Sequence, residues 1–353
     1  MEWTELIVLV ISFVFLLLAG VPISFSIGIA TLSTMLLSID TLPALTTVAQ
    51  RMATGLDSFA LLAIPFFILS GLLMSRGGIA RRLIDFAKVL VGRWPGGLAY
   101  VNILAAMFFG AISGSAAAAA AAIGGFMTPL MEKEGYDTNY SASVNITSAT
   151  TGLLIPPSNI LIVYSLASGG VSIAALFIAG YLPGILVGLL LMVAAGIIAV
   201  KKGYRGSDER YTFKQGIMRF LDALPSLMLI VIVIGGIIAG FFTATEGSAI
   251  AVLYTFILSV LIYHEVKWKE LPQVLLETVT TTAIVMLLIG ASMGMSWIMS
   301  YANIPQTITA SLIALSSSKI IILLIINLIL LFVGTFMDMT PAVLIFTPIF
   351  LPI

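Results

Sequence analysis

Two apolar stretches of this 353-residue chain are each interrupted by small polar residues. The first, FFGAISGSAAAAAAAIGGFMTPLM, covers residues 108–131 and is cut at Ser113-Gly114-Ser115, and the second, FVGTFMDMTPAVLIFTPIFLPI, covers residues 332–353. On either side of each interruption the apolar run is shorter than the ~20 residues that a helix needs to cross a bilayer. The pattern predicts two re-entrant helical hairpins, whose irregular tips must be covered by protein or line a water-filled cavity.

The composition places almost every element in lipid. Hydrophobic residues make up 60% of the chain and charged residues 9%, with a mean hydropathy of +1.16, which predicts an all-α polytopic membrane protein. The 16 basic and 16 acidic residues balance, so no basic face is available for nucleic acid, and the absence of Cys excludes disulfides and thiolate metal sites. The single His264, in YHEVKWKE, is expected in a solvated loop, and the acidic start MEWTE predicts a retained first span rather than a signal peptide.

Basic residues concentrate in two segments, 76–93 and 201–219, which the positive-inside rule assigns to the cytoplasm. The spans 142–164 and 172–200 lie between these two basic segments. Two crossings return the chain to the same side, so the assignment is satisfied if 97–131 enters and leaves on one side. The same counting places the N-terminus in the periplasm and makes the second hairpin enter from the opposite face. Two short complete spans in place of each hairpin would give the same parity, so the segment lengths are what favour re-entry.

The order of elements also predicts an internal repeat. Aligning Gly110 with Gly334 aligns GGIARRLIDFAKVLVGRW with ANIPQTITASLIALSSSK, each between a span and a hairpin, although few residues are identical. The two units then have opposite orientations in the membrane. Inverted repeats with broken helices near the midplane are typical of secondary transporters, because opposed units can expose one site to each side in turn.

The segment 79–92 has the pattern of an amphipathic helix. It places apolar residues on one helical face and charged residues elsewhere; that face comprises Ile79, Leu83, Phe86, Ala87 and Leu90. Such a helix can lie in the membrane interface as an arm between two units, and an ordinary cytoplasmic linker helix fits the same pattern.

The first tip has the residue types of a cation site. Gly114 allows backbone angles that turn carbonyl oxygens inward, and Ser113 and Ser115 add hydroxyl oxygens. Neutral oxygens of this kind suit a monovalent cation. The alternative is that glycine, serine and the alanine run only let helices approach closely.

A second irregular stretch, SATTGLLIPPSN, covers residues 148–159. Pro156 and Pro157 lack amide hydrogens, so they break a span and free carbonyl groups that need partners. Ser158 and Asn159 then begin a new half-helix, whose positive end attracts a carboxylate. A simple proline kink is the alternative.

Only a few carboxylates lie within apolar segments. Asp338, in GTFMDMTPA, is predicted to be a cation ligand or a polar latch within the second tip. Glu246 follows Thr243 by three residues before an apolar run, so a functional carboxylate and a helix-start residue are both open.

Four motifs occur in a fixed order, namely GAISGSAAAAAAAIGG, GLLIPPSN, FFTATEGSAIAVLY and GTFMDMTPAVLIFTPIFLPI. Together they resemble the large membrane subunit of tripartite ATP-independent periplasmic (TRAP) transporters, the DctM type or M subunit, over essentially the whole chain. The resemblance implies a sodium-driven importer of organic acids, such as C4-dicarboxylates or sialic acids, in a bacterial or archaeal inner membrane. It also implies an elevator mechanism, in which a transport unit slides against a scaffold unit.

The resemblance further implies partners and ligands. A small four-helix membrane subunit (Q type) would join the scaffold, and a soluble periplasmic binding protein (P type) would deliver the substrate. Two or more Na⁺ ions are expected, the first between the Ser113–Ser115 tip and the broken helix, the second near the other tip. The implied sodium-site residues are Ser113, Gly114, Ser115, Ser158, Asn159, Gly334, Asp338, Met339 and Thr340. The implied substrate-binding residues are Ser115, Pro157, Ser158 and Asn159.

The same resemblance divides the chain into expected units. These are N-terminal scaffold helices (1–75), an amphipathic arm (76–93), a first transport unit (94–170) with hairpin 97–131 and broken helix 142–164, central scaffold and connecting helices (171–300), a second arm (301–317) and the second hairpin (318–353). Family members continue into another proline-broken span, whereas this chain stops at Ile353 inside an apolar run. We therefore expect a truncated sequence that lacks half of the second cation site.

Other classes of function fit less well. A stand-alone sodium-coupled carboxylate transporter of the same superfamily is an alternative, as is the permease subunit of an ATP-driven importer, since its ATPase could be a separate chain. A channel would need a continuous polar lining, and only isolated polar tips are present. An intramembrane enzyme would need a nucleophile and a base, whereas Asp338 has no carboxylate partner within the apolar segments and the lysines lie outside the spans.

Overall fold

The computed structural model describes residues 2–206, 211–315, 318–335 and 337–352, and within them all regular secondary structure is helical. The α-helices are, in chain order, α1 (Glu2–Leu18), α2 (Ile23–Met35), α3 (Thr41–Leu56), α4 (Ala63–Arg76), α5 (Ile79–Val91), α6 (Gly97–Ser113), α7 (Ala116–Lys133), α8 (Thr138–Ala149), α9 (Thr151–Leu154), α10 (Asn159–Ala167), α11 (Ile173–Lys202), α12 (Phe213–Ile238), α13 (Ala244–Phe256), α14 (Leu271–Tyr301), α15 (Ile304–Leu315), α16 (Lys319–Gly334) and α17 (Met339–Phe350). The predicted all-α class is therefore confirmed.

Several of these helices are long and apolar enough to cross a membrane. In the described part of the chain five segments qualify, namely Phe59–Arg76, Ile173–Lys202, Phe213–Ile238, Ala244–Ile262 and Trp268–Tyr301. The bent pair Thr138–Leu154 and Asn159–Ala167 adds a sixth if it is one span. Of the hairpin helices, α6, α16 and α17 have only 17, 16 and 12 residues. The chain is thus a multi-pass membrane protein with additional short apolar helices, and the re-entrant placement of the hairpins stays a prediction.

Contacts between Cα atoms divide the chain into two compact units. One comprises Met1–Ser58, Val163–Val171 and Thr280–Ile353, and the other comprises Phe59–Ile162 and Ser172–Val279. The second hairpin thus belongs to the first of these units, whereas the first hairpin and most of the broken helix belong to the other. The predicted division into scaffold, arm and transport segments describes which parts of the chain move relative to one another. These two compact units do not test it, so it stays a prediction.

The first hairpin is closed at its base. A cavity of about 620 Å³ is lined both by Leu98, at the start of α6, and by Leu130, near the end of α7. The two helices also contact each other along their length. Both ends of the hairpin therefore meet at the base, and residues 113–115 form the tip at the other end.

Aromatic and charged groups hold that base. The Tyr136 hydroxyl donates to the Arg205 carbonyl oxygen at 3.2 Å, and its ring stacks on Tyr204 with centroids 4.3 Å apart. Asp137 and Lys202 form an ion pair of 3.7 Å. Burial raises the pKa of the Tyr136 phenol, so this group stays a neutral donor. These contacts fix the hairpin base to the end of α11.

Helix α11 shows how the unit with the first hairpin is packed. Its exposed face carries large apolar residues, including Leu182 and Leu190, as expected for a surface solvated by lipid. Its buried face carries Gly180, Gly184 and Gly188, which lie one turn apart. A Cβ at Gly180 would lie 2.5 Å from the Leu154 carbonyl oxygen, so α11 approaches the broken helix backbone to backbone.

The arm helix α5 is amphipathic, but its buried face differs in part from the predicted one. Ile79, Leu83 and Ala87 are buried as expected, whereas Leu90 is 50% exposed and Ile84 is buried instead. The reason is that α5 contacts both α6 and α12, so protein covers a broader arc of its surface. Helix α12 is also held to α5 by an ion pair of 3.1 Å between Arg219 and Asp85. The segment predicted as the second arm forms α15, which contacts α17.

Candidate functional site

The first tip is a break of two residues between α6 and α7. Gly114 ends α6 in the left-handed region, with φ of 61°, where glycine carries no steric penalty. Ser115 is extended, and its Oγ accepts a hydrogen bond of 3.3 Å from the Ala118 amide. The small polar residues predicted to interrupt the hairpin therefore end one helix and cap the next.

The prolines break a helix where the sequence predicts it. Helix α9 ends at Leu154, α10 begins at Asn159, and the axes on the two sides of the break differ by 52°. Neither Pro156 nor Pro157 has an amide hydrogen, so carbonyl groups in the preceding turn lose their helical partners. The Ser158 hydroxyl donates a hydrogen bond of 2.6 Å to one of them, the Leu153 carbonyl oxygen.

The tip of the first hairpin lies directly against this break. The Asn159 amide donates to the Gly114 carbonyl oxygen at 3.4 Å. A Cβ at Gly114 would lie 2.7 Å from the Pro157 carbonyl oxygen, which leaves no room for a side chain. The structure thus brings together two segments that are far apart in the sequence, Ser113–Ser115 and Pro157–Asn159.

One turn below the tip, two further glycines bring the backbones into contact. A Cβ at Gly152 would lie 2.8 Å from the Gly110 Cα, and a Cβ at Gly110 would overlap the Gly152 Cα. Sequence analysis aligned Gly110 only with Gly334 and gave Gly152 no role. The signal for this contact was a small residue on each helix, which by itself does not identify the partner.

The polar atoms at this junction are mostly neutral oxygens. Ser113 is fully buried, and its Oγ accepts a bond of 3.4 Å from the Ser115 amide. The Asn159 Oδ1 is also buried and has no hydrogen-bond partner in the described part of the chain. A buried amide oxygen without a partner is costly, so this atom is available to a ligand. Among the described residues, no group of three or more His, Cys, Asp or Glu side chains could hold a metal ion.

A second polar cluster lies behind the tip, and sequence analysis missed it. The Asn102 amide donates to the Ser148 hydroxyl at 2.8 Å, and the Asn145 amide donates to the Ala120 carbonyl oxygen at 3.0 Å. The Oδ1 atoms of both asparagines are buried without a partner in the described part of the chain. Gly124 makes room for Asn145, because a Cβ there would overlap the amide group. The sequence signal that could have indicated this cluster is the presence of asparagines within apolar segments.

The second tip has a helix cap, and its glycine faces open space in the described part of the chain. Helix α16 ends at Gly334, and a Cβ at this glycine would have no atom within 4 Å in the described structure. Asp338 is exposed, and its Oδ2 accepts a bond of 3.4 Å from the Thr340 amide at the start of α17. Met339 is the first residue of α17. These four residues are the predicted second set of ligands, which stays a prediction, and residue 336 of the same tip lies outside the described residues.

Two further sequence questions have structural answers. Glu246 forms a capping box with Thr243: the Thr243 amide donates to its carboxylate at 2.8 Å, and the Glu246 amide donates to the Thr243 hydroxyl at 3.2 Å. The helix-start interpretation of Glu246 is therefore the one that the structure shows. His264 is exposed in a loop, as predicted, with its Nδ1 3.1 Å from the Val260 carbonyl oxygen.

The sequence is similar to several bacterial membrane proteins over nearly its whole length. It is 57% identical to the uncharacterized protein YgiK of Salmonella typhimurium over 99% of this chain and 80% of that protein. It is 37% identical to the C4-dicarboxylate TRAP transporter large permease protein DctM of Rhodobacter capsulatus, over 96% of this chain and 79% of that protein. It is also 37% identical to the sialic acid TRAP transporter large permease protein SiaM of Vibrio cholerae, over 96% and 78% of the two chains.

A solved structure shares the fold. The YdaH transporter of Alcanivorax borkumensis aligns with a TM-score of 0.55, covering 90% of this chain and 74% of that one, at 13% sequence identity. At this identity the match supports the helical membrane fold and carries no argument about substrate or mechanism.

The family match covers most of the chain. Residues 10–353 match the family described as the tripartite ATP-independent periplasmic transporter, DctM component. The DctM and SiaM relatives are transporter permease proteins rather than enzymes, and the family together with the apolar helices indicates a multi-pass protein of the bacterial inner membrane. The resemblance inferred from the four motifs is therefore confirmed: this chain belongs to the DctM component family of tripartite ATP-independent periplasmic transporters.

Proposed function

We propose that this chain is the large membrane component of a sodium-coupled secondary importer of small organic acids. In this proposal a soluble periplasmic protein delivers the acid, a small four-helix membrane subunit completes the scaffold, and a transport unit carries the acid across by an elevator movement. The N-terminus would lie in the periplasm, because the basic segments 76–93 and 201–219 are assigned to the cytoplasm.

The observation that carries the proposal is the contact between the first tip and the broken helix. Gly114 lies against Pro157 and Asn159, and the two segments carry backbone carbonyl oxygens, the buried Ser113 hydroxyl and the Asn159 Oδ1, which has no partner in the described structure. Irregular backbone at membrane depth in a protein of this family is the usual place of an ion and substrate site.

The oxygens present fit a sodium ion. Ser113, Ser158 and Asn159 would hold it together with carbonyl oxygens of the tip. The donor set contains no carboxylate, and it is therefore suited to a monovalent rather than a divalent cation. When bound, sodium would supply a positive charge for the substrate carboxylate and couple uptake to the sodium gradient.

The proposed substrate class follows from the relatives and from local electrostatics. The named relatives carry C4-dicarboxylates and sialic acid, all of which contain carboxylate groups. The N-terminus of α10 has the positive end of its dipole at the junction, which favours a carboxylate there. The Asn159 backbone amide already donates to the Gly114 carbonyl oxygen. The groups that would bind the acid are therefore Ser115, Ser158 and the next backbone amides of α10.

Among the alternatives, ATP-driven import fits least, because the family is described as ATP-independent. A stand-alone sodium-coupled carboxylate transporter differs from our proposal only in needing no soluble partner. The two are therefore separated by the requirement for that partner.

Reconstituted uptake tests the proposal. We expect the full-length chain, with the small membrane subunit and the soluble partner, to accumulate labelled succinate or N-acetylneuraminate in proteoliposomes under an inward sodium gradient. A potassium gradient or ATP should not replace sodium. Replacing Ser113, Ser115 or Ser158 by Ala should lower sodium-dependent uptake at least about tenfold, since each removes an oxygen from a buried polar site.

Ser143→Ala is the matched control for these serine variants. Ser143 is exposed on α8 in the same unit, and its hydroxyl donates only to the Asn139 carbonyl oxygen, so its loss should leave uptake unchanged. Equal uptake by all four variants would refute the assigned site. Uptake without sodium would refute the coupling, and uptake without the soluble partner would support the stand-alone alternative.

A further inference from the structure

A cleft with several polar side chains in its lining lies between α3 and α14, within the compact unit that does not contain the first tip. Its volume is about 340 Å³, which is enough for a small organic acid. Arg51 and Thr54 line it from α3, and Ser296, Trp297 and Ser300 line it from α14. None of these residues belongs to the proposed sodium site.

Arg51 in this cleft carries a charge without a counter-ion. Its guanidinium carbon lies 5.6 Å from the centroid of the Trp297 ring, in the geometry of a cation–π contact. In the described structure no acidic group forms an ion pair with Arg51, and Asp40 and Asp57, at the two ends of α3, are not within 4.0 Å of it. Arg51 is exposed and lies beside the ring, so its N–H groups can reach a planar anion in the cleft.

The hydroxyl groups around Arg51 complement this charge. The Thr54 hydroxyl donates to the Gln50 carbonyl oxygen at 2.8 Å, and the Ser300 hydroxyl donates to the Ser296 carbonyl oxygen at 2.9 Å. Their protons are used, so the two oxygens can only accept from a ligand. A cationic donor next to acceptor oxygens fits a carboxylate that also carries hydroxyl or amide groups.

The position of Arg51 in the predicted topology points the same way. Apart from Lys319, the other basic residues lie in the segments 76–93 and 201–219 or are Lys133, Lys267 and Lys269, which the same count of membrane crossings predicts to face the cytoplasm. Arg51 precedes the span that leads to the cytoplasmic segment 76–93, so it would lie on the periplasmic side. A lone arginine against the positive-inside preference indicates a role in anion binding.

We propose that the Arg51–Trp297 cleft is a second carboxylate-binding subsite, which takes the acid on the periplasmic side. The choice of an organic acid as the ligand rests on the proposed function. Arg51 would bind the carboxylate, the Trp297 ring would hold the guanidinium in place, and Thr54 and Ser300 would accept from the other polar groups of the acid.

Fluorine NMR of the full-length protein tests this subsite without relying on transport. The protein, labelled with 5-fluorotryptophan in phosphatidylcholine nanodiscs with any membrane subunit that copurifies, is titrated with succinate and with N-acetylneuraminate. The Trp297 resonance is assigned by its loss in Trp297→Phe. We expect it to shift saturably, with half-saturation on the order of 1 mM or below, and the neutral compound succinamide should cause no shift.

Two variants make the test specific. Arg51→Gln should weaken the response at least about tenfold, as expected for loss of a charge-assisted pair. Lys319→Gln changes the other basic residue of the predicted periplasmic side and should leave the response unchanged. A similar shift in Arg51→Gln, or no saturable shift with either acid, would overturn the proposal.

The remaining outcomes also decide between sources of the anion. If adding phosphatidylglycerol moves the Trp297 resonance and the acids do not, Arg51 binds lipid headgroups. If Arg51→Gln only raises the concentration of soluble partner needed for uptake, the cleft is a protein contact, and the proposal is again wrong. If uptake is driven by sodium but the Trp297 resonance does not shift with the acids, only the subsite proposal is wrong. If the Trp297 resonance shifts but uptake is not driven by sodium, only the proposed function is wrong.

Discussion

The two hairpin tips both interrupt an apolar run with small polar residues, but their surroundings differ. At the first, Gly110 and Gly114 lie against the backbone of the broken helix, and a Cβ at either position would meet main-chain atoms. At the second, the aligned Gly334 has no atom within 4 Å of a Cβ in the described structure. Small polar residues are thus common to both tips, and irregular backbone opposite the tip distinguishes the first.

The same comparison separates capping from ligand binding. Ser115 caps α7 and Asp338 caps α17, each through a hydrogen bond from the first turn of the following helix. A break between two helices needs such a residue whether or not a ligand binds. At the first tip neither Ser113 nor the Asn159 Oδ1 caps a helix: the buried Ser113 hydroxyl bonds the Ser115 backbone, and the Asn159 Oδ1 has no partner in the described structure. These two residues are therefore the more informative targets.

The aligned glycines provide the largest expected difference between the tips. Gly110→Ala places a methyl group on the Gly152 backbone, which cannot move aside as a side chain could. We expect it to destabilise the protein by about 2–3 kcal/mol, typical of overpacking, and to lower sodium-dependent uptake at least about tenfold. Thermal unfolding in detergent and proteoliposome uptake measure the two effects.

Gly334→Ala is the matched control. It adds a methyl group in open space at the end of a helix, so stability should be unchanged or higher by up to about 1 kcal/mol, since alanine favours helix more than glycine does. Equal losses in both variants would show that the two tips are packed alike.

A smaller effect is expected from the amide oxygen at the first tip. Asn159→Ala removes the Oδ1 that has no partner, and we expect the sodium concentration for half-maximal uptake to rise about tenfold, which corresponds to about 1.4 kcal/mol. Sodium should also stabilise the wild-type protein against heat more than potassium does, and this difference should shrink in the variant.

Asn327→Ala serves as the control on the second hairpin. Asn327 is exposed on α16, and its amide donates only to the Leu323 carbonyl oxygen at 3.0 Å. Its replacement should leave the sodium response unchanged. A sodium response that survives in Asn159→Ala would place the ion elsewhere.

The sequence predicted the local breaks because their causes are local. Gly114 ends α6, Ser115 caps α7, and the two prolines end α9, all through backbone properties that the residue type determines. Likewise, the capping box of Glu246 follows from its spacing to Thr243. These features do not depend on the partner in space.

The features that sequence analysis missed depend on packing between helices. The Gly110–Gly152 contact and the glycine face of α11 require the relative rotation of helices, which no single segment specifies. The buried face of α5 differed from its predicted face for the same reason, because two neighbouring helices cover it. That the first tip lies against the prolines followed only from the family resemblance.

The smallest expected effects on stability are at the caps, where the two tips should lose similar amounts of stability. Ser115→Ala and Asp338→Ala each remove one acceptor from the first turn of a helix, at a typical cost of about 1 kcal/mol. Ser115→Asp and Asp338→Ser exchange the capping residues and should retain most of the stability in thermal unfolding. If Ser115 also binds the ion, Ser115→Asp will keep the stability and lose the sodium response. If capping is its only role, both properties will survive, and the cation site will depend on Ser113 and Asn159 instead.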